Sequence, residues 1–242
     1  MEMMGFVKSI AGLVMLGGLL QTQGAVPLRL NVAIADPANN APAARKYKLS
    51  TQLTVDKSEI KLEAEVTHRI VDISPEGNVK VAVTQAAGKL TRGGSDVAYR
   101  PTPTLFVTYS MQGQVLEVEG ETADADDTRF ACLTTIVFSE KPVGVGDKWD
   151  FTTPENKEKL IAETRGKFEV LGTEKVAGKD CMKISFENKE LGKDATAFAK
   201  GTQWIEVSTG TQVKVQCTMA NIPLGGSKVN PTWELTFVPE KP

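Results

Sequence analysis

The 242-residue chain has one histidine, three cysteines, 6% aromatic residues and no marked excess of either charge. Each shortage removes a class of chemistry. The single histidine, His68, rules out histidine-rich metal sites and weakens Ser-His-Asp or Cys-His catalysis. Cys132, Cys181 and Cys217 lie far apart and form no C-x-x-C pair. No G-x-S-x-G nucleophile elbow occurs. With 28 basic and 30 acidic residues the net charge is −2, which leaves no electrostatic footprint for nucleic acid or anionic lipid. Tyr99, Phe106, Tyr109, Trp149, Trp204 and Trp233 are scattered, which suits a core better than a base-stacking platform. No catalytic, cofactor-binding or metal-binding residue is assigned.

Long apolar runs are also missing. Ile10–Leu20 (IAGLVMLGGLL) has 11 residues, whereas a helix needs about 20 to cross a bilayer. After Lys8 and before the small, polar Gln21-Thr22-Gln23-Gly24-Ala25, this run reads as the core of a secretory signal. The expectation is a signal peptide at residues 1–25, cleaved after Gly24 or Ala25, and no integral membrane span after processing. No cysteine follows the run to carry a lipid anchor. The exported remainder, periplasmic or extracellular, keeps 27 basic and 29 acidic residues. A chain of that length buries roughly 70% of its unfolded surface, enough for a core without staples.

What is abundant is alternation. Tyr47, Leu49, Leu53 and Val55 alternate with Lys48, Ser50, Gln52 and Thr54. After Asp56-Lys57-Ser58, the series Ile60, Leu62, Ala64, Val66 does the same. Antiparallel strands with one buried face read this way. Further strands are expected at Val79–Val83, Leu105–Ser110, Val115–Glu119, Lys167–Leu171, Cys181–Asn188, Phe198–Val207, Thr211–Ile222 and Thr232–Val238. The predicted class is mainly β: ten to twelve strands in a long-stranded antiparallel curved sheet, a half-barrel or barrel, with at most one short helix. Residues 26–242 are expected to form one β domain, with a boundary near 139–148 as the place where two related β halves would meet.

Phe130, Leu133 and Val137 follow helical spacing behind Asp126-Asp127-Thr128, so a helix is predicted from about Asp126 to Val137. The β-branched run Thr134–Val137 keeps a strand in competition. Asp36–Arg45 and Ala86–Thr104 read as less ordered, the second as a flap or long loop.

His68 continues the inward series from Ile60, which predicts a side chain in the core or lining a cavity. The cysteines allow one disulfide or three free thiols. Cys181 alternates out of phase with Met182, Ile184 and Phe186, whereas Cys217 shares a face with Val213, Val215 and Met219. The two sulfurs therefore point to opposite sides, which favours free thiols. The acidic run Glu121–Asp127 lacks the glycine and distal glutamate of a calcium loop, so it reads as a linker or helix cap. Gly144-Val145-Gly146-Asp147-Lys148 contains G-x-G but neither phosphate-loop motif, and Asp147 stands where an anion would have to approach. It reads as a turn that delivers Trp149 into a core.

FSEKPVGVGDKWDF (138–151) resembles the P-x-x-P-V-x-V-G-D-x-W signature of a family of uncharacterised secreted bacterial β-proteins, with Ser139 in place of the first proline. YSMQGQVLEVEG (109–120) and GTQWIEVSTGTQVKV (201–215) flank it in the order found in that family. The resemblance implies a long-stranded sheet, a half-barrel similar to envelope lipoprotein carriers, and no known activity. The functional expectation is a non-enzymatic protein that binds a hydrophobic small molecule in the concave face of the sheet. The alternative is a structural or protein-interaction component of the cell envelope. A hydrolase using two carboxylates is a weaker third, because carboxylate separation is not visible in a sequence.

Overall fold

A computed structural model describes residues 44–239 apart from 56, 100, 193–196 and 225–226. The expected signal peptide and Asp36–Ala43 lie outside the described residues. Ala44 and Arg45, expected to be irregular, already belong to the first strand.

The alternating segments form the strands they predict. In chain order they are β1 (Ala44–Val55), β2 (Ser58–Ile73), β3 (Val79–Arg92), β4 (Ser95–Val97), β5 (Leu105–Tyr109) and β6 (Val115–Glu119). One helix, α1 (Ala125–Thr134), follows. Then come β7 (Lys148–Thr153), β8 (Thr164–Val176), β9 (Lys179–Glu190), β10 (Phe198–Glu206) and β11 (Gln212–Ala220). The short β12 (Ile222–Leu224) and β13 (Ser227–Val229) precede β14 (Thr232–Phe237). Twelve strands make one antiparallel sheet, ordered β6-β5-β3-β2-β1-β14-β11-β10-β9-β8-β7 with β4 beside β3; β12 and β13 form a separate hairpin.

This order has a simple logic. Two meanders, β1 to β6 and β7 to β11, run outward in opposite directions from the middle. Strand β14 is the seam, pairing with β1 through Tyr47↔Phe237 and with β11 through Val215↔Leu235. The sheet curves without closing, so β6 and β7 remain at opposite edges. It is an open half-barrel and not a barrel. Bulges at Ala64/Val66 and Ile70/Asp72 in the β2–β3 pair, and at Val170/Gly172 in the β8–β9 pair, supply local bending.

Because β6 and β7 are opposite edges, the chain between them must cross the open side of the sheet. That strap is α1 and the extended residues after it. Asp124 caps α1, accepting from the backbone N–H of Asp126 at 2.8 Å and of Asp127 at 3.1 Å. Asp127 returns the bond by accepting from Asp124 N–H at 3.2 Å. The acidic run is thus a capping box, with the cap two residues earlier than expected. The β-branched residues win beyond Thr134, and Ile136, Val137 and Phe138 run extended into the core. There they meet Phe168, Ile184, Phe186, Ala199 and Val215 from the inner face of the sheet. Ile184 is completely buried, which contributes about 1.5–3 kcal/mol for a side chain of its class.

Two expectations need correction. Residues 86–97 are not a loop: β3 runs through Arg92 and turns back as β4 at Gly93 and Gly94, whose φ values are +57° and +84°. Two consecutive residues at positive φ make the tight hairpin that suits a right-twisted sheet. Val213 does not join the face of Val215 and Cys217. The β10–β11 register slips at Trp204/Ile205, and Val213 packs with Cys181 and Trp204 in a smaller cluster behind the sheet. Cys181 and Cys217 do fall in different clusters, and Cys132, Cys181 and Cys217 are all free thiols. Burial pushes their thiols up, to about 11 for Cys181 and about 12 for the other two.

Candidate functional site

The strap fills the concave face unevenly. Over β8 to β11 it is packed solid by Leu133, Val137 and their neighbours. Over β1, β2, β3 and β5 a cavity of about 220 Å³ remains between strap and sheet. Its apolar wall includes Ile70, Val79 and Val81 from the sheet, Ile136 and Phe138 from the strap, and Ile205 from β10. Tyr47 and Tyr109 add aromatic rings.

Strand periodicity puts these residues there. Tyr47 pairs with Val66, Arg45 with His68, His68 with Val83, and Ile70 with Val81, so alternate residues of β1, β2 and β3 share the inner face. Strap position depends on Gly113, in the β5–β6 turn. It has φ +85°, and a Cβ there would stand 2.8 Å from the Ile136 carbonyl oxygen. Phe138 N–H donates to the Gln112 carbonyl at 2.7 Å and pins the strap to the same turn.

His68 lines the cavity, as its place in the inward series predicts. Its ring lies 4.6 Å from that of Tyr47, and burial lowers its pKa to about 4, so the imidazole is neutral at neutral pH. Burial likewise raises the Tyr47 phenol to about 12, and raises Tyr109 well above the usual tyrosine range. Tyr47 donates its hydroxyl proton to the Gln212 carbonyl at 3.0 Å. These rings are uncharged walls of the cavity at neutral pH.

One end of the cavity is polar. Arg45 Nη2 meets Glu206 Oε2 at 3.0 Å, and Lys179 Nζ meets Glu206 Oε1 at 3.1 Å. Thr209 donates to the same carboxylate at 2.8 Å. Burial pushes the Glu206 carboxyl up, but the bonds from Thr209, Arg45 and Lys179 outweigh it and hold the pKa down to about 2. Arg45 Nη1 is buried and meets no acceptor among the described residues. Among the described lining residues Arg45 alone carries a permanent charge. The sequence expectation of an inward-lined concave face is met by these positions, but Arg45, Glu206 and Thr209 were not foreseen as a cluster. Only an arginine in phase with Tyr47 and Leu49 hinted at it.

Gly144–Lys148 forms the turn that its sequence predicts. Asp147 accepts from the Gly144 N–H at 2.8 Å, and Asp147 N–H closes a turn onto the Gly144 carbonyl at 3.1 Å. A carboxylate already occupies the amide an anion would need. Gly146, at φ +90°, takes the turn position that favours glycine. Trp149 then enters β7, stacks on Phe168 at 5.2 Å and donates its indole N–H to the Val137 carbonyl at 2.8 Å.

No protein-family model and no curated protein matches the sequence. Among solved structures the chain is similar to the hypothetical lipoprotein YmcC of Escherichia coli K12, at 14% identity and a TM-score of 0.32, over 80% of this chain and 87% of that one. It is also similar to a DUF1329 family protein of Desulfovibrio piger, at 10% identity and a TM-score of 0.23, over 82% and 87%.

Proposed function

We propose that the chain is an exported, non-enzymatic binding protein of the cell envelope that holds a small apolar molecule between the strap and the concave face. The observation that carries this reading is the cavity itself: preformed, partly open, walled by aliphatic and aromatic side chains, and polar at one end. Binding sites for small molecules have this composition. Export is part of the proposal, resting on the signal-like residues 1–25, and residues 26–242 act as one β domain.

Cavity size limits the ligand. At about 30 Å³ per water-sized group, 220 Å³ accommodates about seven such groups. That is a short chain or a single ring, and far less than the acyl chains of a whole lipid. The test is native mass spectrometry with solvent extraction on protein purified after export. A co-purifying small hydrophobic compound supports the proposal. Absence of any ligand, together with no uptake of added short-chain amphiphiles, refutes it.

A further inference from the structure

We infer that β7 is a docking edge for a second copy of this chain, the two β7 strands pairing antiparallel about a two-fold axis at Trp149. The dimer joins two half-barrels into one longer sheet. No residue of β7 lines the cavity, so the dimer stands or falls apart from any ligand there.

Among the described strands β7 pairs only with β8, and it ends the sheet. Val170 N–H donates to the Asp147 carbonyl at 3.0 Å, so the backbone at Asp147 faces β8. Backbone direction alternates along an antiparallel strand, and Lys148, Asp150 and Thr152 therefore turn their N–H and C=O groups to the free edge. Such a row is a template for another strand. Trp149 and Phe151 pack against the core, which puts Lys148 and Asp150 on the convex face. Their side chains are 69% and 50% exposed.

Charge decides which strand fits. On the convex face one row runs from β10 to the edge through Lys200, Glu187, Lys167 and Asp150. Its charges alternate plus, minus, plus, minus. The next row reaches the edge through Glu169 and Lys148, minus then plus. The edge thus presents one base and one acid, two residues apart. A copy centred on Trp149 sets Lys148 opposite the partner's Asp150, and Asp150 opposite the partner's Lys148. Each row then continues its alternation into the partner with no like-charge neighbour. Centring on Asp150 instead would set two aspartates face to face, and opposite charges across strands are what stabilise a pairing.

The other edge does not fit a second copy in this way. Strand β6 offers only acids, Glu117 and Glu119, so no register of β6 against itself forms an ion pair. Lys159 and Lys80 already engage those acids. A β6-to-β7 contact between copies would be head to tail and leave edges open for a third, whereas β7 to β7 closes at two. One short strand pair buries less than a standard stable interface, so the dimer is weak and concentration-dependent.

The experiment is sedimentation velocity of the full chain, purified after export, over a dilution series at low salt. The natural chain should pass from monomer to dimer as concentration rises, and added salt should reverse this. Asp150→Lys and Lys148→Asp each set like charges across the axis, and each should weaken association about tenfold or more. An equimolar mixture of the two variants restores both ion pairs across the axis and should recover the dimer. Amide exchange on the natural chain reads the same edge without a substitution. The N–H groups of Lys148 and Asp150 should be protected at high concentration and exchange freely at low. A monomer at every concentration overturns the proposal. So does a dimer that neither variant weakens, or assembly beyond two copies. Protection of those amides at every dilution puts a segment of the same chain on the edge, and overturns it as well.

Discussion

Asn188 and Gln203, on neighbouring strands of the sheet, reach across the core and together cap the C-terminal end of the helix lying over them. Asn188 donates its Nδ2 protons to the carbonyls of Leu133 at 2.9 Å and Thr135 at 2.8 Å. Gln203 Nε2 donates to the carbonyl between them, that of Thr134. The last carbonyls of a helix have no partner within it, and here three consecutive ones are satisfied by two buried amides. Arg129 Nε adds a 2.6 Å bond to the buried Glu190, and Phe130 meets Trp233 edge to face at 5.1 Å. The strap is therefore bolted to the floor of the sheet over β9, β10 and β14, and the cavity beside it has a fixed roof.

Asn188→Ala should loosen that attachment. It leaves two carbonyls in the core without donors, each costing about 1–3 kcal/mol. A loss of about 3 kcal/mol is expected in urea unfolding.

Gly113→Ala tests the other anchor. The added methyl would stand 2.8 Å from the Ile136 carbonyl oxygen at a φ of +85°, so strap and turn must separate. The expected cost is about 1–3 kcal/mol, with altered amide exchange at Ile136 and Phe138.

Stability should depend on pH in two windows. At His68 the folded pKa of about 4 lies below the ordinary 6.5, so between these values the unfolded chain binds a proton that the folded chain excludes. The contribution of the neutral ring is whole above pH 6.5, falls as the pH drops toward 4, and is at most about 3 kcal/mol. Glu206, held at about 2, contributes stability that is whole above its ordinary 4.5 and is lost below it. In urea titrations at a series of pH values, His68→Gln should remove the decline between pH 6.5 and 4.5 and retain the one below.

Val81→Phe places a ring in the empty space beside Ile70 and Tyr109. Unlike a substitution in a packed core it should cost little or no stability, by thermal unfolding, while abolishing uptake of any short-chain ligand.

Reductant should not change the melting temperature. Cys181 and Cys217 belong to separate clusters and all three cysteines are free thiols. With their pKa values raised, reaction with a thiol reagent at neutral pH should be slow until the protein is unfolded, and then three thiols should titrate.

Much of the sheet was legible because alternation is local. Tyr47 to Val55 and Trp233 to Phe237 announce both their strands and their buried faces. His68 was legible for the same reason, lying in phase with Val66. What depends on partners far along the chain was not legible. The slip at Trp204/Ile205 that turns Val213 outward is a matter of register between two strands, and neither strand shows it alone. Asn188 and Gln203 sit at inward positions of apolar series, a conflict that signals a buried partner without saying which. Arg45 was hidden by the proline- and alanine-rich residues before it, which made the start of its strand look irregular. The span Ala86–Thr104 reads as loose in sequence, yet its adjacent glycines, Gly93 and Gly94, are what a two-residue hairpin requires.

The seam strand has a consequence for the order of assembly. Thr232 bonds the carbonyl of Gln52, a partner 180 residues away, and neither β1 nor β11 has its other neighbour until β14 arrives. Two meanders can form early, each from contacts close along the chain, but they are only tethered by the strap until the last strand slots between them. Closing so long a loop is slow, and until it closes two bare strand edges face each other. The rate-limiting event in folding should be the insertion of residues 232–237, and a short peptide of that sequence should compete for the gap.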